Sequence, residues 1–294
     1  MKKTGFVGLI GRPNVGKSTL LNSILEMKLS IISSKPQTTR NIIRGVYNDD
    51  DSQVIFIDTP GIHKPKHELG NYMNKVAVAT LNEMDIALFL IDVSEEFGGG
   101  NNYILNLLKD VSCPVILVIN KIDKINNDKL IEKIDQYKNI YNFSEIVPIS
   151  SLEGRNINTL LDVIKSKLLP NYEYYDSDTY TDISDIFYIK EIIREKILYH
   201  TQEEIPHSVA IEIDDLIEGK NSIEIFASII VERDSQKGIL IGKRGAMIKQ
   251  LGSESRAELT KYKSKKVHLN LIIKVDKNWR SNSRSLNRYG YTNK

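Results

Sequence analysis

The chain has 294 residues, of which 41% are hydrophobic and 27% are charged, as in soluble globular proteins. No apolar run approaches the roughly 20 residues of a membrane span, and the single cysteine, Cys113, excludes an internal disulfide. The length exceeds that of one ordinary domain, so we expect two.

The net charge of +2 is unevenly distributed: residues 236–294 carry +12 and the rest of the chain −10. This asymmetry predicts a polyanionic partner, which could be nucleic acid or acidic lipid. The opening MKK precedes an apolar stretch, as in a signal peptide, but Arg12 and Pro13 interrupt that stretch. We therefore expect a cytoplasmic protein.

The first motif is GRPNVGKS at residues 11–18, a complete G-x-x-x-x-G-K-S phosphate loop. An apolar strand over residues 4–10 precedes it, and helical periodicity over residues 17–27 follows it. The motif therefore lies at the strand-to-helix turn that such a loop requires.

Each residue type in the loop suits a triphosphate. Gly11 and Gly16 would let the backbone curl so that its N–H groups face the phosphates. Lys17 would bridge the β- and γ-phosphates, and the Ser18 hydroxyl would be a Mg²⁺ ligand. The other predicted nucleotide contacts here are Asn14, Val15 and Thr19.

The first switch must lie between this loop and Asp58, where residues 37–40 (QTTR) precede a predicted strand over residues 42–47. We assign Thr39 to Mg²⁺, with Thr38 as the close alternative. Both threonines could instead be ordinary turn residues.

The second switch is predicted at residues 58–61 (DTPG), which follow an apolar strand over residues 53–57. Asp58 could hold Mg²⁺ through water, and the Gly61 amide could meet the γ-phosphate. The polar segment 63–67 beyond it is expected to be ordered only in the triphosphate state.

Base specificity is predicted from residues 120–123 (NKID), which end the apolar run 115–119. The Asp123 carboxylate can accept two hydrogen bonds from guanine but would be repelled by adenine N1, so GTP is favoured over ATP. After a strand over residues 146–149, the Ser151 amide could bond guanine O6. The predicted contacts in these segments are Asn120, Lys121, Asp123, Ser150, Ser151 and Leu152.

Hydrolysis is expected to be slow, because Ile62 follows Gly61 where Ras-like switches place a glutamine that orients water. His63 could be a proton acceptor or simply a solvated loop residue. The Asn14 side-chain carbonyl could hold a monovalent cation beside the phosphates, which suggests K⁺-stimulated hydrolysis. The predicted catalytic residues are Lys17, Thr39, Gly61 and Asn14.

The nucleotide-binding domain is expected to end with a helix over residues 157–168, which Pro170 stops. Residues 171–182 are polar and lack apolar periodicity, as is typical of a linker. Beyond them we predict a helix over 186–200, strands over 209–213 and 222–231, a short helix, a longer helix over 246–262, and a strand over 267–275.

The turn between the last two helices reads GKRG at residues 242–245. This order of elements, with a GXXG loop in a basic domain, predicts a KH domain that binds single-stranded nucleic acid. The glycines would allow close backbone approach, and the cations would meet phosphates. The predicted RNA contacts are Lys237, Gly242, Lys243, Arg244, Gly245 and Lys249.

The chain as a whole resembles the Era family of bacterial GTPases, one of the TrmE-Era-EngA-like groups. The resemblance rests on GRPNVGKSTLLN, QTTR, DTPGIHKP, NKID, EIPHSVAIEI, VERDSQKGILIGKRG and KVDKNWR, over nearly the full length. Ser151 replaces a usual alanine, and the linker lacks a proline often found there.

The resemblance implies a three-layer α/β P-loop GTPase domain with a mostly parallel sheet over residues 1–172, a linker over 173–182, and an α+β type II KH domain over 183–294. It also implies GTP or GDP with Mg²⁺ as cofactors and binding near the 3′ end of 16S ribosomal RNA. A role in maturing the small ribosomal subunit, peripheral inner-membrane association and a monomeric state are expected with these.

Two other interpretations remain open from the sequence. The chain could be a GTP-regulated membrane adaptor whose basic C-terminal region binds anionic lipid. It could also be a constitutive RNA-binding module with a purely structural nucleotide domain.

Overall fold

The structure, a computed structural model, describes residues 1–65 and 67–292. These residues form two compact units: residues 1–65 with 70–182, and residues 183–292 with the segment 67–69. The expected linker over 173–182 is thus part of the first unit. Within the described ranges, no helix is both long and apolar enough to cross a bilayer.

The first unit is built on one sheet with the strand order β2-β3-β1-β4-β5-β6. Its strands are β1 (Lys2–Gly11), β2 (Ile43–Asn48), β3 (Ser52–Asp58), β4 (Ile86–Asp92), β5 (Val115–Asn120), β6 (Glu145–Pro148) and β7 (Pro170–Asn171). All pairings are parallel except β2 with β3 and β7 with β1. Every residue of β3 and β4 is buried, as expected for parallel strands that are covered on both faces.

Helices cover this sheet. They are α1 (Lys17–Leu25), α2 (Glu68–Ala79), α3 (Gly99–Leu108), α4 (Asn127–Lys138) and α5 (Ile157–Lys167). One apolar cluster joins Ala77 of α2, Leu105 of α3 and Tyr137 of α4 to strand residues such as Phe89. Gly45 of β2 makes room for α1, because a Cβ there would lie 2.8 Å from Leu21.

The predicted linker is bound along the first unit, and we call residues 171–182 the strap. The buried Gln53 side chain accepts hydrogen bonds from the amides of Tyr174 (2.7 Å) and Tyr175 (3.1 Å). Farther along, the Val46 amide of β2 donates to the Tyr180 carbonyl at 2.8 Å. The predicted linker is therefore hydrogen-bonded to β2 and β3 of the first unit, which its polar sequence did not indicate.

The second unit contains a three-stranded sheet of order β10-β9-β8, with β8 and β9 antiparallel and β9 and β10 parallel. Its elements are α6 (Asp185–His200), α7 (Ile205–Ser208), β8 (Ala210–Glu218), β9 (Ser222–Val231), α8 (Asp234–Ile241), α9 (Ala246–Lys263), β10 (Lys266–Val275) and α10 (Ser283–Tyr289). Isoleucines and leucines of α6, α8 and α9 pack with the strands into one core.

Several elements have no counterpart among the sequence predictions, namely β4, β7, α2, α3, α4, α7 and α10. The C-terminal part is held by Trp279, which is fully buried and donates from Nε1 to the Ser208 carbonyl at 2.9 Å. Its ring also stacks on Tyr291. Long-range contacts of this kind leave no periodic pattern in the sequence from which they could be predicted.

Candidate nucleotide site and nucleic-acid interface

The phosphate loop joins β1 to α1, as predicted. The Lys17 ammonium donates to the carbonyls of Gly11 (3.1 Å) and Arg12 (3.0 Å), which holds its long side chain across the loop. Burial lowers the pKa of Lys17 to about 8, against the opposing effect of Asp58. Because a nearby anion favours the charged form of a buried lysine, Lys17 is well suited to meet phosphate.

The two glycines of the motif are required for different reasons. Gly16 has a φ of 101°, and a Cβ there would lie 2.2 Å from Asn120 Nδ2. Gly11 ends β1, and its Cβ would lie 2.6 Å from the Leu90 carbonyl oxygen. The neighbouring strand β4 therefore adds a second reason for glycine at this position, beside its predicted place in the phosphate-binding turn.

Three residues converge where Mg²⁺ was predicted. The Ser18 hydroxyl donates to Asp58 Oδ2 at 2.6 Å and lies 2.9 Å from Thr39 Oγ1. Asp58 is fully buried, and its Oδ1 has no hydrogen-bond partner among the described residues. Burial raises the pKa of Asp58, against Lys17 and the hydroxyl donors. An unsatisfied buried carboxylate oxygen beside two hydroxyls fits Mg²⁺, which prefers oxygen ligands.

The geometry separates the two candidate threonines of the first switch. The Thr38 hydroxyl donates to the Lys35 carbonyl at 2.7 Å within its own turn. The Thr39 hydroxyl is buried beside Ser18 and Asp58 instead. Of the two, Thr39 is therefore the one that joins the metal-binding group.

The second switch lies against the phosphate loop. A Cβ at Gly61 would lie 2.7 Å from the backbone nitrogen of Pro13, so this position excludes larger residues. Ile62 is buried in the apolar cluster of the first unit, and its amide donates to the Gly11 carbonyl at 3.2 Å. Its side chain cannot orient water, as expected. Lys66 of the predicted mobile segment lies outside the described residues.

His63 connects the two switches, which the sequence did not indicate. Its Nδ1 lies 2.9 Å from the Gly61 carbonyl and its Nε2 lies 3.0 Å from Gln37 Nε2. Because a carbonyl can only accept, Nδ1 carries the proton and Nε2 accepts from the Gln37 amide group. His63 is therefore engaged through both nitrogens and is not a solvated loop residue.

The predicted base-binding residues are held by one another. Ser150 donates from its hydroxyl to Asp123 Oδ1 at 2.5 Å, which fixes the carboxylate that would read guanine. Asn120 donates from Nδ2 to the Val15 carbonyl at 2.9 Å and so ties this segment to the phosphate loop. The Ser151 amide, which we expected to meet guanine O6, donates instead to Asn120 Oδ1 at 3.0 Å.

Lys121 joins the loop to a residue that the sequence did not single out. Its ammonium donates to the Asn14 carbonyl and to Asp92 Oδ2, each at 2.6 Å. Burial opposes ionisation of Asp92, but hydrogen bonds from Lys121 and Ser94 outweigh it and lower its pKa. Asp92 ends the apolar strand β4, and this position at a carboxyl-terminal strand end is the signal that could have found it.

Two cavities form a cleft along these residues. One, of about 430 Å³, is lined by the phosphate loop, the first switch and Gly61. The other, of about 200 Å³, is lined by the base-binding residues, including Leu152. Gly16, Thr19 and Lys121 line both cavities, so the phosphate and base regions adjoin.

Asn14, the proposed cation ligand, reaches toward the first switch. Its φ is 65°, and its Nδ2 donates to the Ser34 carbonyl at 2.7 Å. The side-chain amide of the phosphate loop therefore contacts the segment that leads into the first switch.

In the second unit, the GXXG loop forms a tight turn between α8 and α9. Gly242 has a φ of 71°, and a Cβ there would lie 2.7 Å from Met247 Cβ, so glycine is required. Gly245 also has a positive φ, of 77°, but open space around it. The predicted cations Lys243, Arg244 and Lys249 are exposed, and Lys237 is half-buried.

Exposed isoleucines accompany these cations. Ile239 and Ile241 of α8 are 54% and 37% exposed, and Ile272 of β10 is 52% exposed. Of these three, Ile239 and Ile241 belong to the helix that leads directly into the GXXG loop.

Both units are similar to known proteins. Residues 6–121 match a family model described as 50S ribosome-binding GTPase, and residues 204–280 match the KH domain model. Era of Aquifex aeolicus, in a variant bound to GDP and AlF4⁻, is 40% identical over 99% of this chain and 100% of its own, with a TM-score of 0.96.

The chain belongs to the Era family of GTPases.

A second Era structure, in complex with MgGDPNP and nucleotides 1506–1542 of 16S ribosomal RNA, is 39% identical over the full length of both chains, with a TM-score of 0.97. Membership of the Era family confirms the predicted fold class, a P-loop GTPase domain followed by a KH domain, and the predicted GTPase activity.

Proposed function

We propose that this protein is a GTP-hydrolysing switch that binds 16S ribosomal RNA near its 3′ end and acts in maturing the small ribosomal subunit. The observation that carries the proposal is the full-length match to an Era structure that holds this RNA. The exposed cations Lys243 and Arg244 in a glycine turn support it, because they could meet phosphates while the backbone approaches a single strand.

In the nucleotide site, Lys17 would bind the β- and γ-phosphates, and Asp123 would select guanine. Ser18, Thr39 and Asp58 would hold Mg²⁺, which when bound would neutralise phosphate charge. The short distances among these three residues support this assignment.

Turnover would be slow and stimulated by K⁺. Ile62 is buried and cannot orient water, whereas the Asn14 side chain of the phosphate loop reaches Ser34, in the segment that leads into the first switch. A monovalent cation at Asn14 would add positive charge where the transition state needs it. Turnover measured in KCl and in NaCl at matched ionic strength tests this, and equal rates would contradict it.

The RNA would lie on the GXXG loop, with its phosphates near Lys243, Arg244 and Lys249. Ile239 and Ile241 would contact the bases, because exposed apolar side chains can support unstacked bases. Lys237, on the same helix α8, would add a further phosphate contact.

Nucleotide state would reach the RNA-binding unit through the strap. The strap is bonded to β2, and β2 directly follows the first switch. A γ-phosphate that orders Thr39 and Gly61 would stabilise one arrangement of β2 and the strap. Hydrolysis removes this phosphate, so that arrangement would lose its stabilisation.

The RNA part of the proposal is tested by measuring affinity for a labelled RNA that copies the small-subunit 3′ end, beside a scrambled RNA. The Lys243→Glu/Arg244→Glu variant should lose specific binding. Lys220→Glu/Lys261→Glu, which reverses two exposed charges away from the GXXG loop, is the matched control. Weak binding that is indifferent to sequence and to either variant would contradict the proposal.

Peripheral association with the cytoplasmic face of the membrane is a second proposal, which the +12 charge of residues 236–294 favours. Flotation with anionic liposomes tests it. Flotation that competing RNA blocks would indicate a shared basic surface, whereas no flotation would contradict membrane binding.

A further inference from the structure

Ser30 contacts the metal-binding group although it belongs to none of the nucleotide motifs. It is fully buried, and its hydroxyl donates to Asp58 Oδ2 at 3.0 Å. The same oxygen accepts from Ser18 at 2.6 Å. Thr39 Oγ1 also donates to this oxygen, at 3.5 Å, so Asp58 Oδ2 is held from three segments of the chain, while Oδ1 has no partner among the described residues.

Asn22 of α1 fixes the backbone that carries Ser30. Its Oδ1 accepts from the amides of Leu29 (3.0 Å) and Ser30 (2.9 Å), and its Nδ2 donates to the Ser30 carbonyl at 2.7 Å. One side chain thus satisfies three backbone groups in the segment between α1 and the first switch. This arrangement fixes the Ser30 hydroxyl relative to α1, which also carries Ser18.

We propose that Ser30, held by Asn22, is a positioning residue for the magnesium site. The terminal torsion of a carboxylate has broad minima, so Asp58 would rotate unless a donor fixed one oxygen. By donating to Oδ2, Ser30 leaves Oδ1 as the oxygen that is available to the metal site. This hydrogen bond persists when the Ser18 hydroxyl binds Mg²⁺. The inference rests on the proposed Mg²⁺ role of Ser18, Thr39 and Asp58.

The experiment measures release of a fluorescent GDP from the full-length protein across a Mg²⁺ titration and in EDTA. Bound Mg²⁺ should slow the release of GDP. In Ser30→Ala, the Mg²⁺ concentration that gives half of this slowing should rise roughly tenfold, because loss of a hydrogen bond to a metal ligand typically weakens metal binding by that amount. Release in EDTA should stay within about twofold of wild type, because the Ser30 hydroxyl bonds Asp58, which is proposed to act through Mg²⁺.

Ser52→Ala is the matched control. Ser52 is also fully buried in the same unit, and its hydroxyl donates to Asp49 Oδ1 at 2.8 Å. It should leave the Mg²⁺ titration unchanged. If Ser30→Ala behaves like Ser52→Ala, or changes release in EDTA as much as in Mg²⁺, the role of Ser30 is overturned.

Asn22→Ala provides a second variant in case Ser30→Ala is unstable. It keeps the serine hydroxyl but releases its backbone, so the Mg²⁺ requirement should rise in the same direction, with thermal melting confirming a folded protein. An unchanged requirement in a folded Asn22→Ala would also overturn the inference. Failure of the wild-type protein to retain GDP would contradict the proposed function and not this role of Ser30.

Discussion

Thr38 and Thr39 are neighbours in the chain, but their hydroxyls have different partners. Thr38 donates to the Lys35 carbonyl, which stabilises a local turn, and Thr39 lies 2.9 Å from Ser18 Oγ. Adjacent side chains in an irregular segment point in different directions. A shift of one residue therefore changes which hydroxyl can reach the predicted metal site.

Thr39→Ala should therefore lower GTP turnover by about tenfold or more, because it removes a proposed Mg²⁺ ligand and the metal would neutralise phosphate charge. Thr38→Ala should stay within about threefold of wild type. Single-turnover hydrolysis at saturating Mg²⁺ measures both. A larger loss in Thr38→Ala than in Thr39→Ala would reverse the assignment.

At the same scale, Asp49 forms an ion pair with Lys165. Burial acts to raise the pKa of Asp49, but hydrogen bonds from Lys165, Ser52 and the backbone outweigh it and lower the pKa from 3.8 to about 2. Since the folded value lies below the unfolded one, ionised Asp49 stabilises the fold above about pH 4. This contribution is lost as the pH falls toward 2.

Asp49→Asn should thus reduce the free energy of unfolding at pH 7 by less than about 1 kcal/mol, because solvent still reaches and screens this half-buried pair. The difference in free energy of unfolding between Asp49→Asn and wild type should be smaller at pH 3, where part of the contribution of ionised Asp49 is lost. Urea unfolding at the two pH values measures it, and a difference that does not change with pH would contradict the pKa argument.

At the scale of elements, the strap depends on one buried side chain. Gln53 of β3 is fully buried, accepts from two strap amides, and donates to the Tyr175 carbonyl and to Asn48 Oδ1, both at 2.8 Å. Removing such a side chain leaves partly buried backbone groups without their partner, which costs more than the hydrogen bonds themselves.

Gln53→Ala should lower the free energy of unfolding by about 2–4 kcal/mol and expose the strap to limited proteolysis. Tyr172→Ala, at an exposed position of the same strap, should change stability by less than about 0.5 kcal/mol. Equal stability of Gln53→Ala and wild type would show that the strap is not held through this side chain.

At the scale of the whole molecule, a GTPase unit and a basic KH unit belong to one chain, and the strap lies between them in sequence. If the strap couples them, RNA affinity should be at least about fivefold higher with a GTP analogue than with GDP. Gln53→Ala should reduce this ratio without changing affinity for GDP. Identical RNA affinity in the two nucleotide states would contradict the coupling.

Much of this organisation was predictable because nucleotide and RNA motifs are contiguous in the chain. Residues 11–18 and 242–245 lie at the turns expected of them, and the strands before Asp58 and Asn120 end at those residues or next to them. Asp92 and Ser30 were missed because neither belongs to a contiguous pattern. Their roles depend on partners 29 and 28 positions away in sequence.

The sequence by itself determined the two domain types and the preference for guanine, and it predicted which residues would meet phosphate. It could do so because each motif combines side-chain chemistry with a fixed local spacing. The tertiary structure decided which threonine joins Ser18, why β4 also favours Gly11, and that residues 171–182 form a bonded strap. These outcomes depend on which backbone and side-chain groups approach one another after folding, and no local spacing encodes that.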